Sequence, residues 1–85
     1  MADKKEIEKK ARQIVADVLG LKAEECLDES LFVDDLGADS LDALDIIIKT
    51  EIEFDIALKE GEGDDVKTIR DYLDLVCRKL QHQIQ

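Results

Sequence analysis

The sequence has few of the residues and segments on which catalysis and membrane insertion usually depend. Its 85 residues include no proline, no tryptophan, one histidine and two cysteines. No run of about eighteen apolar residues is present, so no transmembrane helix is expected. Residues 1–10 lack the apolar stretch of a signal peptide, and the chain has neither a glycine-rich phosphate loop nor the paired histidines of zinc proteases. These absences argue against an autonomous enzyme and against membrane insertion.

The cysteines and the histidine are few and poorly positioned for chemistry. Cys26 and Cys77 are too few for a disulfide scaffold or a thiolate metal site. We therefore expect two reduced, mostly buried thiols in a cytoplasmic protein, and no resident metal. His82 lies close to the C-terminus, where a side chain is not held firmly enough to act as the base for a serine nucleophile.

Positive charge is scarce in the middle of the chain. The whole sequence has 22 acidic and 12 basic residues, for a net charge of −10. Residues 28–65 carry fourteen acids and two bases, or −12, whereas residues 1–27 are neutral and residues 66–85 carry +2. Such a chain does not neutralise the phosphates of a nucleic acid or bind an anionic membrane surface. It does attract partners that present basic docking patches.

Apolar residues repeat at helical spacing in three segments, which predicts an all-α fold. Hydrophobic residues make up 45% of the chain, enough for the core of one small domain. We expect that domain to span residues 1–85 and to be a small bundle of three main helices, with a short, weak third helical turn and a long loop between helices one and two. The main helices are predicted over residues 3–19, 40–54 and 69–81.

The segments between the helices contain glycines that mark bends. Residues 20–38 form the long loop, in which Gly20 suits the left-handed end of the first helix and Gly37 permits a sharp bend before the second. Gly61 and Gly63 leave the next connection with at most a marginal helical turn, because each interior glycine costs a helix about 1 kcal/mol relative to alanine.

Each predicted helix begins with a residue that commonly caps helices and has an acidic residue three positions later. These pairs are Asp3 and Glu6, Asp39 and Asp42, and Thr68 and Asp71. On the second helix the apolar surface is predicted to come from Leu41, Leu44, Ile47, Ile48 and Phe54, with Ile46 partly outside the core stripe.

Ser40 stands at the first position of the second helix, directly after the bend. A hydroxyl there is exposed, and the free N–H groups and dipole of the helix N-terminus favour a phosphate on that oxygen. The neighbouring Asp39 suits a divalent cation, which prefers carboxylate and phosphate oxygens. Position alone leaves two interpretations open, a phosphoester site or an ordinary serine in the first turn of a helix.

The segment from Phe32 to Asp42, FVDDLGADSLD, resembles the signature of acyl carrier proteins, and the likeness covers nearly the whole chain. The resemblance implies that a phosphopantetheinyl transferase attaches a 4′-phosphopantetheine arm to Ser40, using coenzyme A and magnesium. It also implies that Asp39 assists this modification. Acyl groups then travel as thioesters on the arm to enzymes of fatty acid or related lipid or polyketide synthesis.

The resemblance further implies a docking surface for the transferase and for enzymes that synthesise and transfer acyl chains through basic patches. That surface consists of Asp34, Asp35, Leu41, Asp42, Asp45 and Ile48. A solvated charged face, and core packing for Ile48, are the ordinary alternatives, although the density of acids favours docking for the aspartates. A slot for the acyl chain, between the second and the last helix, is expected from Leu44, Ile47, Phe54, Ile69, Tyr72 and Leu73. Core packing is the ordinary alternative for these six side chains.

The sequence departs from the family pattern at two places. Gly61 and Gly63 occupy a segment where typical members have a proline and a short, well-formed helix, and Lys49 and Thr50 stand where apolar or small residues are usual. These departures indicate a specialised carrier. The protein is expected to be a monomer and not an enzyme. A peptidyl or aminoacyl carrier and an unmodified acidic interaction module are the alternatives. An enzyme with Ser40 as its nucleophile lacks a base within the chain.

Overall fold

The computed structural model describes the backbone of residues 3–84 and the side chains of residues 3–81. Within them lie three α-helices, α1 (Lys4–Leu19), α2 (Ser40–Phe54) and α3 (Ile69–Ile84), and a short 3₁₀ turn at Ala23–Glu25. The predicted all-α fold is confirmed. α3 is longer than predicted and includes the backbone of His82, whose side chain lies outside the described residues. Across residues 3–84, no helix is long and apolar enough to span a bilayer.

The ends of α1 and the start of α3 follow the predicted caps. The Asp3 carboxylate accepts a hydrogen bond from Glu6 N at 2.9 Å. Gly20 closes α1 with a left-handed φ of +70°, and its N–H donates to a carbonyl one turn earlier. Thr68 and Asp71 bond reciprocally through side chain and backbone, at 3.1 Å in each direction. Local sequence alone therefore determines where these two helices begin and where α1 ends.

The core forms around α1, which packs against both α2 and α3, while α2 and α3 approach each other much less closely. This arrangement leaves space between α2 and α3 that other side chains border. The buried core consists of Ala11, Val15, Ala16, Cys26, Ile46, Ile69, Tyr72, Leu73 and Val76.

The two cysteines are free thiols, as predicted. Cys26 is buried in the core and Cys77 is half-buried on α3. Burial raises the pKa of both thiols above the ordinary cysteine value. Both therefore stay protonated at neutral pH and are weak nucleophiles.

The side of α2 that faces the core is not the one predicted. Ile46 is 5% exposed and Thr50 is fully buried, whereas Leu41 is 71% exposed. The prediction was wrong because three consecutive isoleucines spread apolar surface over more than half of the helix circumference. In addition, one of the buried residues of α2, Thr50, is polar. The Thr50 hydroxyl is satisfied there by hydrogen bonds with Ile46 O at 2.6 Å and with Tyr72 OH at 2.7 Å.

The connection between α2 and α3 is a series of tight turns. α2 ends at Phe54 and is capped by Asp55, which adopts a left-handed backbone with a φ of +53°. Hydrogen bonds between residues three apart then run from Lys59 to Val66 without forming a helix. The short helical turn allowed by the sequence is thus replaced by turns, consistent with the cost of two glycines in a helix. Glu62 holds this segment against α3 through an ion pair with Lys79 at 3.0 Å.

Backbone hydrogen bonds join the long loop to the start of α3. These bonds connect residues 28–32 with residues 67–70, and their N–O distances are 2.8 to 3.0 Å. The loop has little secondary structure of its own, so its backbone N–H and C=O groups need partners elsewhere. These bonds supply such partners and hold the loop in place. The bonds run from Phe32 N to Lys67 O, from Ile69 N to Ser30 O and from Arg70 N to Asp28 O.

Two arginines strengthen the same junction. Arg12 of α1 contacts the Asp28 carboxylate at 2.6 Å and donates to the Cys26 carbonyl oxygen. Arg70 of α3 lies 3.4 Å from Asp28 and pairs with Glu8 of α1. The hydrogen bond from Arg12, followed by the charges of both arginines, holds the pKa of Asp28 below its usual range. The loop is therefore linked to α1 and α3 by charge as well as by backbone bonds.

We predict that Asp28→Asn lowers the free energy of unfolding at neutral pH by about 1 kcal/mol or less, because water screens partly exposed ion pairs. The folded-state pKa of Asp28 is lowered, so its contribution is present above the ordinary aspartate pKa of about 4 and is lost as pH falls through the lowered value. Urea titrations at neutral and acidic pH measure this difference. Asp45→Asn removes an exposed carboxylate from the same acidic segment and is the control. Equal stability of the two variants at neutral pH would contradict the prediction.

A second prediction concerns Gly37, which has a φ of +72° and no atom within 4 Å of the position of an added Cβ. Gly37→Ala is expected to lower the free energy of unfolding by about 1–2 kcal/mol, because an L-residue is strained in the left-handed region. Gly63→Ala is the matched control, since its backbone is not left-handed and its Cβ also meets nothing within 4 Å. The control is expected to be neutral or stabilising by about 0.5 kcal/mol. Equal losses in denaturant unfolding would show that backbone strain is not the cause.

Candidate functional site

Ser40 is the first residue of α2, and its side chain is exposed. The loop before it folds back on itself, since Ala38 N donates to Phe32 O at 2.8 Å and Gly37 takes a left-handed backbone. This turn brings the chain sharply into α2. Among the described residues, no hydrogen bond engages the Ser40 hydroxyl. The hydroxyl is therefore open to modification.

The N-terminus of α2 leaves two backbone N–H groups beside that hydroxyl. The Asp39 carboxylate accepts from Asp42 N at 2.9 Å, and the Asp42 carboxylate accepts from Asp39 N at 3.1 Å, so the predicted capping box is confirmed. Within residues 3–84, the N–H groups of Ser40 and Leu41 take no backbone or side-chain acceptor. Together with the positive end of the helix dipole, they suit a phosphate esterified to Ser40.

The acidic residues near Ser40 differ in how far local hydrogen bonds engage them. Asp35 accepts a hydrogen bond from Leu31 N at 2.8 Å, and Asp42 is half-buried in the capping box. Asp34 and Asp45 are exposed and, in the described part of the chain, make no hydrogen bond or ion pair. All four surround the start of α2, so the acidity predicted for the middle of the sequence includes a cluster at the serine. Asp34 and Asp45 have the whole carboxylate free for a partner.

An apolar stripe runs along the exposed side of α2. Its members are spaced three or four residues apart and so lie on one side of the helix. Leu41, Leu44, Ile48 and Ile52 form this stripe, with exposed fractions of 71, 52, 44 and 76%. Ile48 is therefore a surface residue, which excludes the core-packing alternative for it. Sequence reasoning missed Ile52, although its position four residues after Ile48 was the signal that placed it on the same side.

A cavity of about 630 Å³ opens beside the start of α2. It lies between α2, the turns that follow α2, and α3, and Asp39, Lys59 and Asp64 are among its polar residues. Asp39, which lines the cavity, directly precedes Ser40 in the chain, and Ser40 itself is not part of the lining. Its apolar walls are formed by Phe32, Val33, Ala38, Ala43, Ile46, Ile47, Leu58, Val66, Tyr72 and Leu75.

Two of the six side chains expected to form an acyl slot, Ile47 and Tyr72, line this cavity. Only two of the six line it because they were chosen for their apolar spacing. That spacing does not show which side of α2 or α3 faces the space between the helices. On α3 the fully buried stripe and the cavity-lining stripe are adjacent. The other four residues lie elsewhere, with Leu44 on the exposed side of α2, Ile69 and Leu73 fully buried in the core, and Phe54 packed against it.

Sequence reasoning also missed the walls that come from outside the helices. Phe32 and Val33 belong to the long loop, and Leu58 and Val66 belong to the turns between α2 and α3. The only signal for them was that isolated apolar residues in a polar connection need shelter from water. That signal does not say which cavity or core they join.

Comparisons with known proteins agree with this geometry. A family model described as "Phosphopantetheine attachment site" matches residues 9–76, a range that contains Ser40 and all of α2. The chain is also 36% identical over 75 residues to a protein named "Acyl carrier protein" from Buchnera aphidicola subsp. Acyrthosiphon pisum (strain Tuc7). That match covers 88% of this chain and 94% of the relative. The chain therefore belongs to the acyl carrier proteins, a family that bears its acyl groups on attached phosphopantetheine.

Proposed function

We propose that Ser40 is the residue of this carrier that receives 4′-phosphopantetheine, and that the chain delivers acyl groups to enzymes of fatty acid or related synthesis without being an enzyme itself. One observation carries the assignment. The exposed, unengaged hydroxyl of Ser40 stands at a helix N-terminus beside an apolar cavity, within the residues that match the attachment family. The chain's other serine, Ser30, is only 8% exposed.

The residues around Ser40 fit the phosphate of the arm. The attached group supplies a terminal thiol that holds acyl groups as thioesters. Ser40 Oγ would provide the ester oxygen, and the N–H groups of Ser40 and Leu41 would hold the phosphate oxygens. Asp39 uses Oδ1 in the cap, while its Oδ2 makes no hydrogen bond among the described residues. That oxygen is available to a divalent cation held by the transferase during modification.

The cavity beside Ser40 is the proposed shelter for the acyl chain. Its walls are mostly apolar, and it opens next to the residue that precedes the serine. Transfer of an acyl chain from water into such walls is favourable by about 0.8 kcal/mol for each buried methylene. The turns between α2 and α3 border the cavity and lack helical hydrogen bonding, so they are the part of the wall that moves at least cost. The six predicted slot residues are accordingly replaced in this proposal by the observed lining.

The exposed side of α2 is the proposed docking surface for the transferase and for acyl-transferring enzymes. Leu41 and Ile48 supply apolar anchors, and Asp34, Asp35 and Asp45 supply negative charge around them. An apolar centre gives affinity, while charges at its border mainly raise the association rate with a basic patch. Asp42 contributes less, because its carboxylate is half-buried in the cap.

The proposal also includes the expected monomeric, cytoplasmic state. Two free thiols, one of them buried, suit a reducing compartment. A peptidyl or aminoacyl carrier is not favoured, since the relative that covers most of the chain is an acyl carrier protein. An unmodified acidic module is not favoured either, because the matching family is defined by phosphopantetheine attachment.

Ser40→Ala is expected to abolish modification, whereas Ser30→Ala is expected to leave it intact. The physical reason is that only Ser40 has an exposed hydroxyl. The measurement is the intact mass after incubation with coenzyme A, magnesium and a broad-specificity transferase. Wild type and Ser30→Ala should each gain one phosphopantetheine, and Ser40→Ala none. A mass gain on Ser40→Ala, or none on wild type, would refute the assignment.

Asp45→Lys is expected to reduce kcat/KM for the transferase by about tenfold at low salt, because it reverses a charge on the docking surface that steers association. The loss should shrink at high salt, where exposed charges are screened. Asp17→Lys makes the same change at an exposed position on α1, away from that surface, and is the control. Steady-state kinetics at low and at high ionic strength give kcat/KM for each variant. Equal losses for the two variants would mean that overall charge, not the α2 surface, guides the partner.

A further inference from the structure

The cavity lies between the first half of α2 and residues 72 and 75 of α3, and one side-chain hydrogen bond joins the two helices within the described residues. Each helix packs on α1, and the two approach each other far less closely. Among the described residues, the hydrogen bond between Thr50 of α2 and Tyr72 of α3 is the only one that links their side chains. The distance between the Thr50 and Tyr72 hydroxyl oxygens is 2.7 Å.

Each hydroxyl of this pair has a defined role. Thr50 donates its single proton to Ile46 O at 2.6 Å, so Tyr72 donates to Thr50. Burial raises the pKa of Tyr72 to about 12. The tyrosine therefore remains a donor at neutral pH. The ring is also held on another side by Phe32, which packs edge-on against it with the centroids 6.0 Å apart.

Counted along α2 from Ser40, the pair lies beyond the last helix residue that lines the cavity. On α2 the cavity is lined by residues 39, 43, 46 and 47, and the lining stops before Thr50. Thr50 is ten residues after Ser40, which corresponds to about 15 Å along a helix. Tyr72 does line the cavity, and its hydroxyl reaches past the lining to Thr50. The ring thus stands across the direction that a chain attached at Ser40 would follow along α2.

We propose that Tyr72, held in place by Thr50, is the end wall of the acyl cavity and determines the longest acyl chain that this carrier shelters. Tyr72 is the specificity-determining residue, and Thr50 is a positioning residue that acts through it. The inference rests on the proposed function, since it requires the acyl group to enter this cavity from Ser40. It names the class of cargo as acyl chains short enough to end before Tyr72.

The wall resists displacement for two reasons. Moving the ring away would take the buried Tyr72 hydroxyl from its acceptor, while Thr50 keeps its bond to Ile46 O, and an unpartnered buried donor is unfavourable. It would also disrupt the packing of Phe32 on the ring. A longer chain therefore leaves its outer methylenes in water and gains nothing further from burial.

The test uses the full chain loaded with saturated acyl groups of increasing length, from butyryl to palmitoyl, from the corresponding acyl-coenzyme A thioesters. Intact mass verifies the loading at Ser40, and thermal unfolding then gives the melting temperature of each form. In wild type the melting temperature should rise by a few degrees as methylenes fill the cavity and stop rising beyond a limiting length. Protection of the thioester from hydroxylamine should reach its maximum at the same length.

Three variants shift that limit if the wall acts as proposed. Tyr72→Phe and Thr50→Val keep the core volume but remove the hydrogen bond, and Tyr72→Ala removes the wall itself. Each should move the limit to a longer acyl chain, with the largest shift for Tyr72→Ala. If Tyr72→Ala does not fold, Tyr72→Phe and Thr50→Val still test the proposal. Leu73→Ala, a fully buried neighbour that does not line the cavity, should lower every melting temperature and leave the limit unchanged.

The outcomes separate this inference from the function on which it rests. If all forms are loaded and the limiting acyl length is the same in wild type and in the Thr50 and Tyr72 variants, the end-wall proposal is overturned. The carrier assignment is then unaffected. A limit that shifts in Leu73→Ala as much as in Tyr72→Phe would also overturn it, since general loosening of the core would then be the cause. Absence of loading at Ser40 in wild type would be visible by mass before any melting experiment and would overturn both.

Discussion

The backbone pairing between residues 28–32 and the start of α3 is the constraint on which the rest of the site depends. It fixes a long loop that has no helix between Glu25 and Ser40, and the Arg12 and Arg70 ion pairs hold the same junction. Phe32 is placed by this pairing, and it both lines the cavity and packs on Tyr72. The loop then turns back within a few residues into α2. The positions of Ser40 and of the cavity beside it therefore follow from contacts made far away in the sequence.

The helices could be predicted from the sequence because their signals are local. A capping side chain and its partner are three residues apart, and the left-handed Gly20 lies directly at the end of α1, so no tertiary information is needed. The buried face of α2 could not be predicted in the same way. Ile46 and Thr50 are buried by contacts with α1 and α3, and the hydroxyl of Thr50 is tolerated in the core only because Tyr72 and a carbonyl engage it. Apolar counting assigns such a threonine to the surface.

Ser40, the proposed attachment residue, and the cavity also differ in how far the local sequence determines them. Ser40 was identifiable from a short motif, since its exposure and its neighbouring N–H groups come from its place at a capped helix start. The cavity depends on the distance between α2 and α3, and its walls include loop residues such as Phe32 and Leu58. Apolar spacing along α2 and α3 predicted that they border a slot, but it did not distinguish Tyr72 from its fully buried neighbour Leu73.

The acidic residues near the start of α2 stabilise the fold at some positions and not at others. A dense run of like charge destabilises the folded state through self-repulsion. At the start of α2 this cost is offset, because Asp39 and Asp42 satisfy backbone N–H groups at the positive end of the helix dipole. Asp35 likewise satisfies Leu31 N. Asp45 has no such compensation, since it lies within the helix, exposed, and its carboxylate meets no cation or N–H group among the described residues. Its charge therefore adds repulsion without stabilising the fold, which supports the proposal that Asp45 attracts a basic partner.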